Sequence, residues 1–279
     1  MIRLALRCRA EQAEEVLAEL LEIAPSGVEE VDAPGGRKGL VEYAVYGAQG
    51  ELPDVGAFRA HAGEALVEVL TEEVPDDWDE RWKRFYFPVL VSGRIYVRPP
   101  WEQPAQRGGV EEVVIDPGGA FGTGTHPTTR MCLELMLKAG GRRNAGRSFA
   151  DLGCGSGVLA IAAAKLGFDT VLAIDADHSA IEESSRNARA NYVELELRHA
   201  DLRGEPAPVA DVVAANLTAK LLIAVARDWS ERGERPGTLI ASGILRDEAD
   251  CVAAALAEAG LSEQRRRVSG DWAAVIVTA

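Results

Sequence analysis

The sequence contains no C-x-x-C pair, and no histidine lies near enough to a cysteine to complete a zinc-like spacing. Its four cysteines stand apart at 8, 132, 154 and 251. Isolated thiols of this kind fit a reducing compartment. No run of ~18 apolar residues occurs, so no membrane span is expected. The opening residues Met1-Ile2-Arg3-Leu4-Ala5-Leu6-Arg7 alternate apolar and polar. They lack the continuous apolar core of a signal peptide. A soluble, cytoplasmic protein is the expectation. Positive charge is also in short supply, with 30 Lys/Arg against 44 Asp/Glu and a net charge of −14. Such a chain repels phosphate backbones, so free nucleic acid is a poor partner and a basic protein a better one. The deficit is concentrated: residues 1–75 hold 6 basic and 15 acidic side chains, a net of −9. No internal repeat or low-complexity tract stands out.

What is present is an ordinary globular balance, 47% apolar and 27% charged over 279 residues. That length suggests about two domains. Ile2, Leu4, Leu6 and Cys8 alternate with Arg3, Ala5, Arg7 and Arg9, the period of a strand with one buried face. Ala13, Val16, Leu17, Leu20, Leu21 and Ala24 form a helical stripe, stopped by Pro25-Ser26-Gly27. Short strands are expected around Val28 and Val31 and from 40 to 46. A second helix is expected through Phe58, Ala62, Ala65, Leu66 and Val69, then a strand ending near Val74. This order is the split βαβ, ferredoxin-like pattern. Residues 76–110 carry a charged stretch, Asp76 to Lys83, and the Pro-rich aromatic runs Phe85-Tyr86-Phe87-Pro88 and Arg98-Pro99-Pro100-Trp101. They read as a linker or hinge. The expected division is therefore 1–75, a linker over 76–110, and a second domain over 111–279.

The second domain alternates strands and helices. Strands are expected at 148–152, 170–175, 193–198, 211–215 and 238–242. Helices are expected at 158–166, 179–190, 219–231 and 247–259. That alternation implies an α/β fold, a mainly parallel sheet with helices on both faces. Arg265–Val268 and 272–278, joined by Ser-Gly-Asp, suggest a hairpin at the sheet edge.

The strongest local signal is Asp151-Leu152-Gly153-Cys154-Gly155-Ser156-Gly157, between a strand and a helix. Glycines there let the backbone approach a ligand. The dinucleotide fingerprint G-x-G-x-x-G places its third glycine where Val158 stands, which disfavours a nicotinamide cofactor. Asp175 ends the next strand, where an ionised carboxylate accepts from ribose hydroxyls. Asp177 suits the helix N-cap. Asp201 follows the third strand of the domain and lies in place for an adenine amino group. Asn216 closes the fourth, where its amide carbonyl accepts from an incoming amine or caps the following helix. No proline or aromatic residue follows it, so a planar amide substrate is not supported. A second glycine-rich run, Asp116 to Thr129, leads into a helix with Pro127 near its first turn. Thr128, Thr129 and the free N–H groups there suit a carboxylate. His126 is read mainly as a hydrogen-bonding or surface residue.

The run Phe121-Gly122-Thr123-Gly124-Thr125-His126-Pro127-Thr128-Thr129, the glycine loop, Asp175 and Ala215-Asn216-Leu217-Thr218-Ala219 together resemble the PrmA family of bacterial ribosomal protein methyltransferases. The resemblance extends to the N-terminal ferredoxin-like pattern, Trp78 and Trp82, Ser242-Gly243-Ile244-Leu245 and Gly270-Asp271-Trp272. It implies a class I, Rossmann-like catalytic domain using S-adenosyl-L-methionine (SAM). It implies methylation, up to trimethylation, of lysine and N-terminal amines on large-subunit ribosomal protein eleven. The cofactor residues it implies are Thr129, Gly153, Gly155, Asp175 and Asn216, with Asp201 weaker. Asn216 would also orient the amine, the N-terminal domain would hold the protein substrate, and a monomer is expected. The family usually has a larger residue at Thr218. Other readings stay open on the residues alone: a lysine methyltransferase of another protein such as a metabolic flavoprotein, a silent SAM-binding or ribosome-docking module, and a nicotinamide oxidoreductase.

Overall fold

Strand β1 (Ile2–Arg9) is central in a four-stranded antiparallel sheet. β3 (Leu40–Gly47) and β4 (Leu66–Glu73) flank it, and β2 (Glu29–Asp32) pairs outside β3, giving the order β2-β3-β1-β4. The computed structural model describes residues 2–13, 16, 17, 20, 28–32, 39–47, 66–73, 86–106, 108–117, 122, 124–139 and 144–279. The chain divides into two compact units, Met1–Phe85 and Tyr86–Ala279.

In the first unit the alternation in β1 sorts the side chains as the sequence suggests. Leu4, Leu6 and Cys8 pack with Ala13, Val16 and Leu20 of a helical segment and with Tyr43 and Val45. Arg3 and Arg7 both bind the carboxylate of Glu42, which is fully buried. Arg7 also reaches Glu68 at 2.6 Å. Burial pushes the Glu42 carboxyl up, but the bonds from Arg3 and Arg7 outweigh it and hold the group below the usual range. A buried carboxylate needs such partners to remain charged. The expected helix through Leu66 and Val69 requires correction. Both lie in β4, paired with β1, and the remaining expected helix positions 58–65 fall outside the described residues. Val67, Val69 and Thr71 are β-branched, and pairing with β1 decides their conformation.

The second unit opens with a correction to the expected linker. Residues 86–110 belong to this unit, and three short strands run from 89 to 114. β5 (Val89–Val91) and β6 (Ile95–Arg98) form an antiparallel hairpin, and β7 (Glu111–Val114) joins β6 in parallel. Ser92 and Gly93 both have positive φ, 48° and 68°, as a tight two-residue hairpin turn demands. Prolines at 88, 99 and 100 disguise strands only three or four residues long.

The main sheet contains β8 (Ser148–Leu152), β9 (Thr170–Asp175), β10 (Glu196–His199), β11 (Val212–Asn216), β12 (Thr238–Leu245), β13 (Ser262–Ser269) and β14 (Trp272–Thr278). Their order is β10-β9-β8-β11-β12-β14-β13, and only β14 runs antiparallel. The C-terminal hairpin places β13 at the edge and returns β14 into the slot beside β12. Helices α1 (Pro127–Ala139), α2 (Val158–Lys165) and α3 (His178–Ala190) contribute to the core on one face. Helices α4 (Ala219–Arg232) and α5 (Ala249–Glu258) contribute to the core on the other. Trp229 of α4 is fully buried and donates its Nε1–H to the Ala207 carbonyl at 3.0 Å. Among the described residues, no helix is long and apolar enough to cross a membrane. The strand order reverses at β8, where open α/β sheets form a ligand crevice at the strands' C-terminal ends.

Candidate functional site

The glycine loop leaves the C-terminal end of β8. Gly153 and Cys154 both donate to the Ile174 carbonyl at 2.9 Å, which ties the loop to the end of β9. Two glycines take left-handed backbone angles that side chains with a Cβ rarely adopt, and both are closely approached. At Gly153 (φ 75°) an added Cβ would sit 2.4 Å from Leu217 Cδ2, and at Gly157 (φ 82°) 2.9 Å from Ser184 Oγ. Ser184 Oγ already donates to the Gly155 carbonyl at 2.8 Å.

Asp175, at the end of β9, holds this loop with both carboxylate oxygens. Oδ2 accepts from the Gly155 N–H at 2.9 Å and Oδ1 from the Asp177 N–H at 3.0 Å. A carboxylate offers about four acceptor positions, so two stay open for further donors. Asp177 caps α3 as expected, accepting from the Ser179 N–H at 2.8 Å. His199 pairs with Asp175 across the strands, and Asp201 lies two residues further on. The Asp201 carboxylate is engaged by Arg203 Nε at 2.9 and 3.1 Å and accepts the Arg203 N–H. A ligand amino group at Asp201 therefore competes with Arg203.

Asn216 ends β11 across the reversal point. Its Oδ1 is buried and has no hydrogen-bond partner among the described residues. Its Nδ2 makes a long contact of 3.5 Å to Thr129 Oγ1. The capping alternative does not hold: Thr218 occupies the N-cap of α4 and makes no side-chain cap bond. A buried amide carbonyl without a donor carries a desolvation cost of about 1–3 kcal/mol until something donates to it. Leu217 N–H donates to the Ser242 carbonyl at 2.9 Å, which fixes the turn after Asn216 against β12.

The second glycine-rich run reaches the same region through α1. Thr128 and Thr129 are both buried at the start of that helix. Thr129 meets Asn216, whereas Thr128 Oγ1 lies 2.7 Å from His126 Nδ1 and the Thr128 N–H donates to the same nitrogen at 3.3 Å. Thr128 is thus committed to His126 rather than open to a ligand. The His126 ring meets Trp272 edge-on at 5.1 Å, and burial lowers its pKa. A neutral imidazole accepting at Nδ1 is a helix-start support, in keeping with the bland reading of this residue.

Four residues of the site were given no role of their own by the sequence: Asp151 and Ser156, which lie within the glycine motif, and Ser184 and Asn187. Ser156, Ser184 and Asn187 carry no signal beyond their proximity to the loop or their place on a polar-looking helix. Asp151 did carry one, as the acid opening the glycine motif within an apolar strand. Its side chain is fully buried, with Oδ2 accepting from the Ala160 N–H at 3.1 Å and Oδ1 lacking a partner among the described residues. Burial pushes its carboxyl up to about 7; the negative charge of Asp175 adds to this and the Ala160 bond opposes it. The sign of the resulting pH effect follows. The folded protein holds this proton where the unfolded chain has lost it, so this group's contribution to stability falls as pH rises from about 4 to about 7. The slope is at most about 1.4 kcal/mol per pH unit. Asp151→Asn is expected to remove that contribution, so wild type loses stability relative to the variant across this window. Urea unfolding at pH 5, 6, 7 and 8 measures it, and parallel profiles for the two proteins would refute the assignment.

The family model described as "Ribosomal protein L11 methyltransferase (PrmA)" matches residues 55–279. A ribosomal protein L11 methyltransferase of Alkaliphilus metalliredigens (strain QYMF) is 40% identical over 214 residues, 76% of this chain and 67% of that protein. One from Heliobacterium modesticaldum is 38% identical over 220 residues, 78% of this chain and 69% of that protein. The crystal structure of ribosomal protein L11 methylase from Lactobacillus delbrueckii subsp. bulgaricus superposes with a TM-score of 0.61 at 27% identity, covering 70% of this chain and 98% of that one.

Proposed function

Because the chain belongs to the ribosomal protein L11 methyltransferase (PrmA) family, we propose that it transfers methyl groups from SAM to lysine and N-terminal amines of ribosomal protein L11. The observation that carries the chemistry is the buried, unpartnered Oδ1 of Asn216 at the crevice. It is an acceptor suited to one N–H of an amine whose lone pair must stay free to attack.

Three features support SAM as the methyl donor. The glycine cradle at 153–157 has positive φ at Gly153, Gly155 and Gly157, which lets the backbone approach a ligand closely. Asp175 keeps acceptor capacity for a ribose diol at the end of β9. Thr129 and Asn216 meet at the far side of the reversal. In this assignment Gly153, Gly155 and Asp175 hold the nucleoside side, and Thr129 and Asn216 line the end where transfer takes place. Asp201 contributes only if its carboxylate accepts a second donor beside Arg203.

The donor supplies a methyl group on a positively charged sulfur with a neutral thioether as leaving group. The protein's work is to orient the acceptor amine and favour its neutral form. From an ordinary pKa of ~10.4, deprotonating lysine at pH 7 costs about 4.6 kcal/mol, and an α-amine of pKa ~7.7 only about 1. Burial beside a cation lowers a lysine pKa further, so no dedicated base is needed. In the first two transfers Asn216 accepts one amine N–H and aims the lone pair; each methylated ammonium then loses its proton to solvent before the next transfer, and the neutral dimethylamine, which has no N–H, is placed by the shape of the pocket alone. Thr218, small for its position, leaves room for the amine to turn between successive methylations up to the trimethyl state. We assign protein-substrate holding to residues 1–75, whose net charge of −9 would steer a basic protein, and cytoplasmic, monomeric action.

Equilibrium dialysis with SAM and with NAD tests the cofactor assignment directly. Saturable SAM binding with no NAD binding is expected. NAD binding in preference to SAM would overturn it.

A further inference from the structure

Asn187 sits on the inner face of α3, with 1% of its surface exposed. Its Oδ1 accepts from the Asp116 N–H at 3.0 Å, and its Nδ2 donates to the Ser156 carbonyl at 2.9 Å. Ser156, itself fully buried, continues the chain: its Oγ donates to the Gly122 carbonyl at 2.6 Å. At Gly122 (φ 106°) an added Cβ would lie 3.2 Å from that Oγ, so the approach is close. Asp116 and Gly122 belong to the run that leads into α1 and Thr129. Ser156 belongs to the glycine loop. One amide and one hydroxyl thus bridge the two glycine-rich segments that supply the site.

The chemistry of the bridge restricts what can replace it. Asparagine combines an acceptor and a donor on a short stem. Aspartate keeps the acceptor for Asp116 but sets an oxygen against the Ser156 carbonyl. Alanine leaves the Asp116 N–H and the buried Ser156 carbonyl without this partner. One turn on, Asn191 makes bonds of the same kind to β7 and none to the glycine loop. It accepts from the Val114 N–H at 2.8 Å and donates to the Val114 carbonyl at 2.6 Å, with a further bond to Asn187 O at 2.8 Å. The protein therefore contains its own control: two buried asparagines four residues apart, Asn187 within α3 and Asn191 at its C-cap, of which only Asn187 bonds the glycine loop.

We propose that Asn187 is a positioning residue for cofactor binding, setting the spacing of Asp116 and Gly122 from the glycine loop through Ser156. This rests on the SAM-dependent reading above. If the two segments separate, only the fraction of molecules holding them together binds, and apparent affinity drops by that fraction. A lock of this kind acts on the dissociation constant for SAM more than on the affinity for the protein substrate.

The test uses the full chain as wild type, Asn187→Ala, Asn187→Asp, Ser156→Ala and Asn191→Ala. Calorimetric titration with SAM, thermal melting, and hydrogen exchange of peptides over 116–126 without ligand are measured at pH 8. Asn187→Ala and Asn187→Asp are expected to bind SAM at least tenfold more weakly, with faster exchange over 116–126. Ser156→Ala should show a smaller loss in the same direction. Asn191→Ala should melt at lower temperature yet keep SAM affinity within about threefold of wild type. Equal weakening in Asn187→Ala and Asn191→Ala, or wild-type affinity in Asn187→Asp, would overturn the proposal. If Asn187→Ala does not fold, the isosteric Asn187→Asp carries the comparison. If wild type itself binds no SAM, the cofactor reading fails, and the ligand-free exchange contrast between positions 187 and 191 still decides the role of Asn187.

Discussion

Gly243→Ala is expected to reduce methyl transfer about 100-fold or more, because it displaces Asn216. Gly243 lies within β12 at φ 82°. A Cβ there would stand 2.6 Å from the Leu217 carbonyl oxygen, 2.9 Å from the Leu217 nitrogen and 3.0 Å from Asn216 Oδ1. Two of these neighbours are backbone, so no rotamer change relieves the clash. The turn after Asn216 must move, and with it the bond from Leu217 N–H to the Ser242 carbonyl. The left-handed backbone adds about 1–2 kcal/mol for any residue with a Cβ. Gly167→Ala separates the two causes. Gly167 has φ 84°, and no described atom lies within 4 Å of its added Cβ. Gly167→Ala should therefore lose stability of that order without losing turnover. Turnover of both variants at saturating SAM measures the difference, and a Gly243→Ala enzyme as active as wild type would remove Asn216 from the mechanism.

Asp175→Ala is expected to weaken SAM binding by about 100-fold. Both oxygens hold backbone N–H groups, at Gly155 and Asp177, so the carboxylate shapes the loop before any ligand arrives. Two ribose hydroxyls donating to its two open acceptor positions at about 1.5 kcal/mol each give a loss near 3 kcal/mol, about two orders of magnitude in affinity. The conservative change is not mild. Asp175→Asn turns an NH2 toward one of the two backbone donors, so it should weaken binding nearly as far as alanine. Direct titration with SAM decides this. Wild-type affinity in Asp175→Asn would mean that the carboxylate is a surface feature and not the organiser of the loop.

The catalytic unit was legible where burial imposes a period. The apolar strands at 148–152 and 170–175 and the helices after them sit where the sequence places them, because each strand is covered on both faces. Legibility failed where pairing partners decide conformation. Leu66 and Val69 fit a helical stripe, yet β1 takes them as a strand. Val89, Val91, Ile95 and Val97 alternate correctly, but runs of three and four residues between prolines give too little period to read. In the site, Asp175 and Asn216 were found because they end strands in a glycine-rich context. Their second roles were not readable, since Asp175 organising Gly155 and Thr129 meeting Asn216 are long-range contacts. Asn187 was hidden for a different reason. In Ser184-Ser185-Arg186-Asn187 a buried amide looks like one more polar residue on a solvated helix, and only its bonds to Asp116 and Ser156 distinguish it.

The most direct measurement is methyl transfer itself. The protein is incubated with labelled SAM and ribosomal proteins from a bacterium lacking this modification, and the label is located by gel autoradiography and mass spectrometry. One labelled protein is expected, L11, with methyl groups on lysine and N-terminal nitrogens. Label on a different protein, or no label despite proven SAM binding, would contradict it.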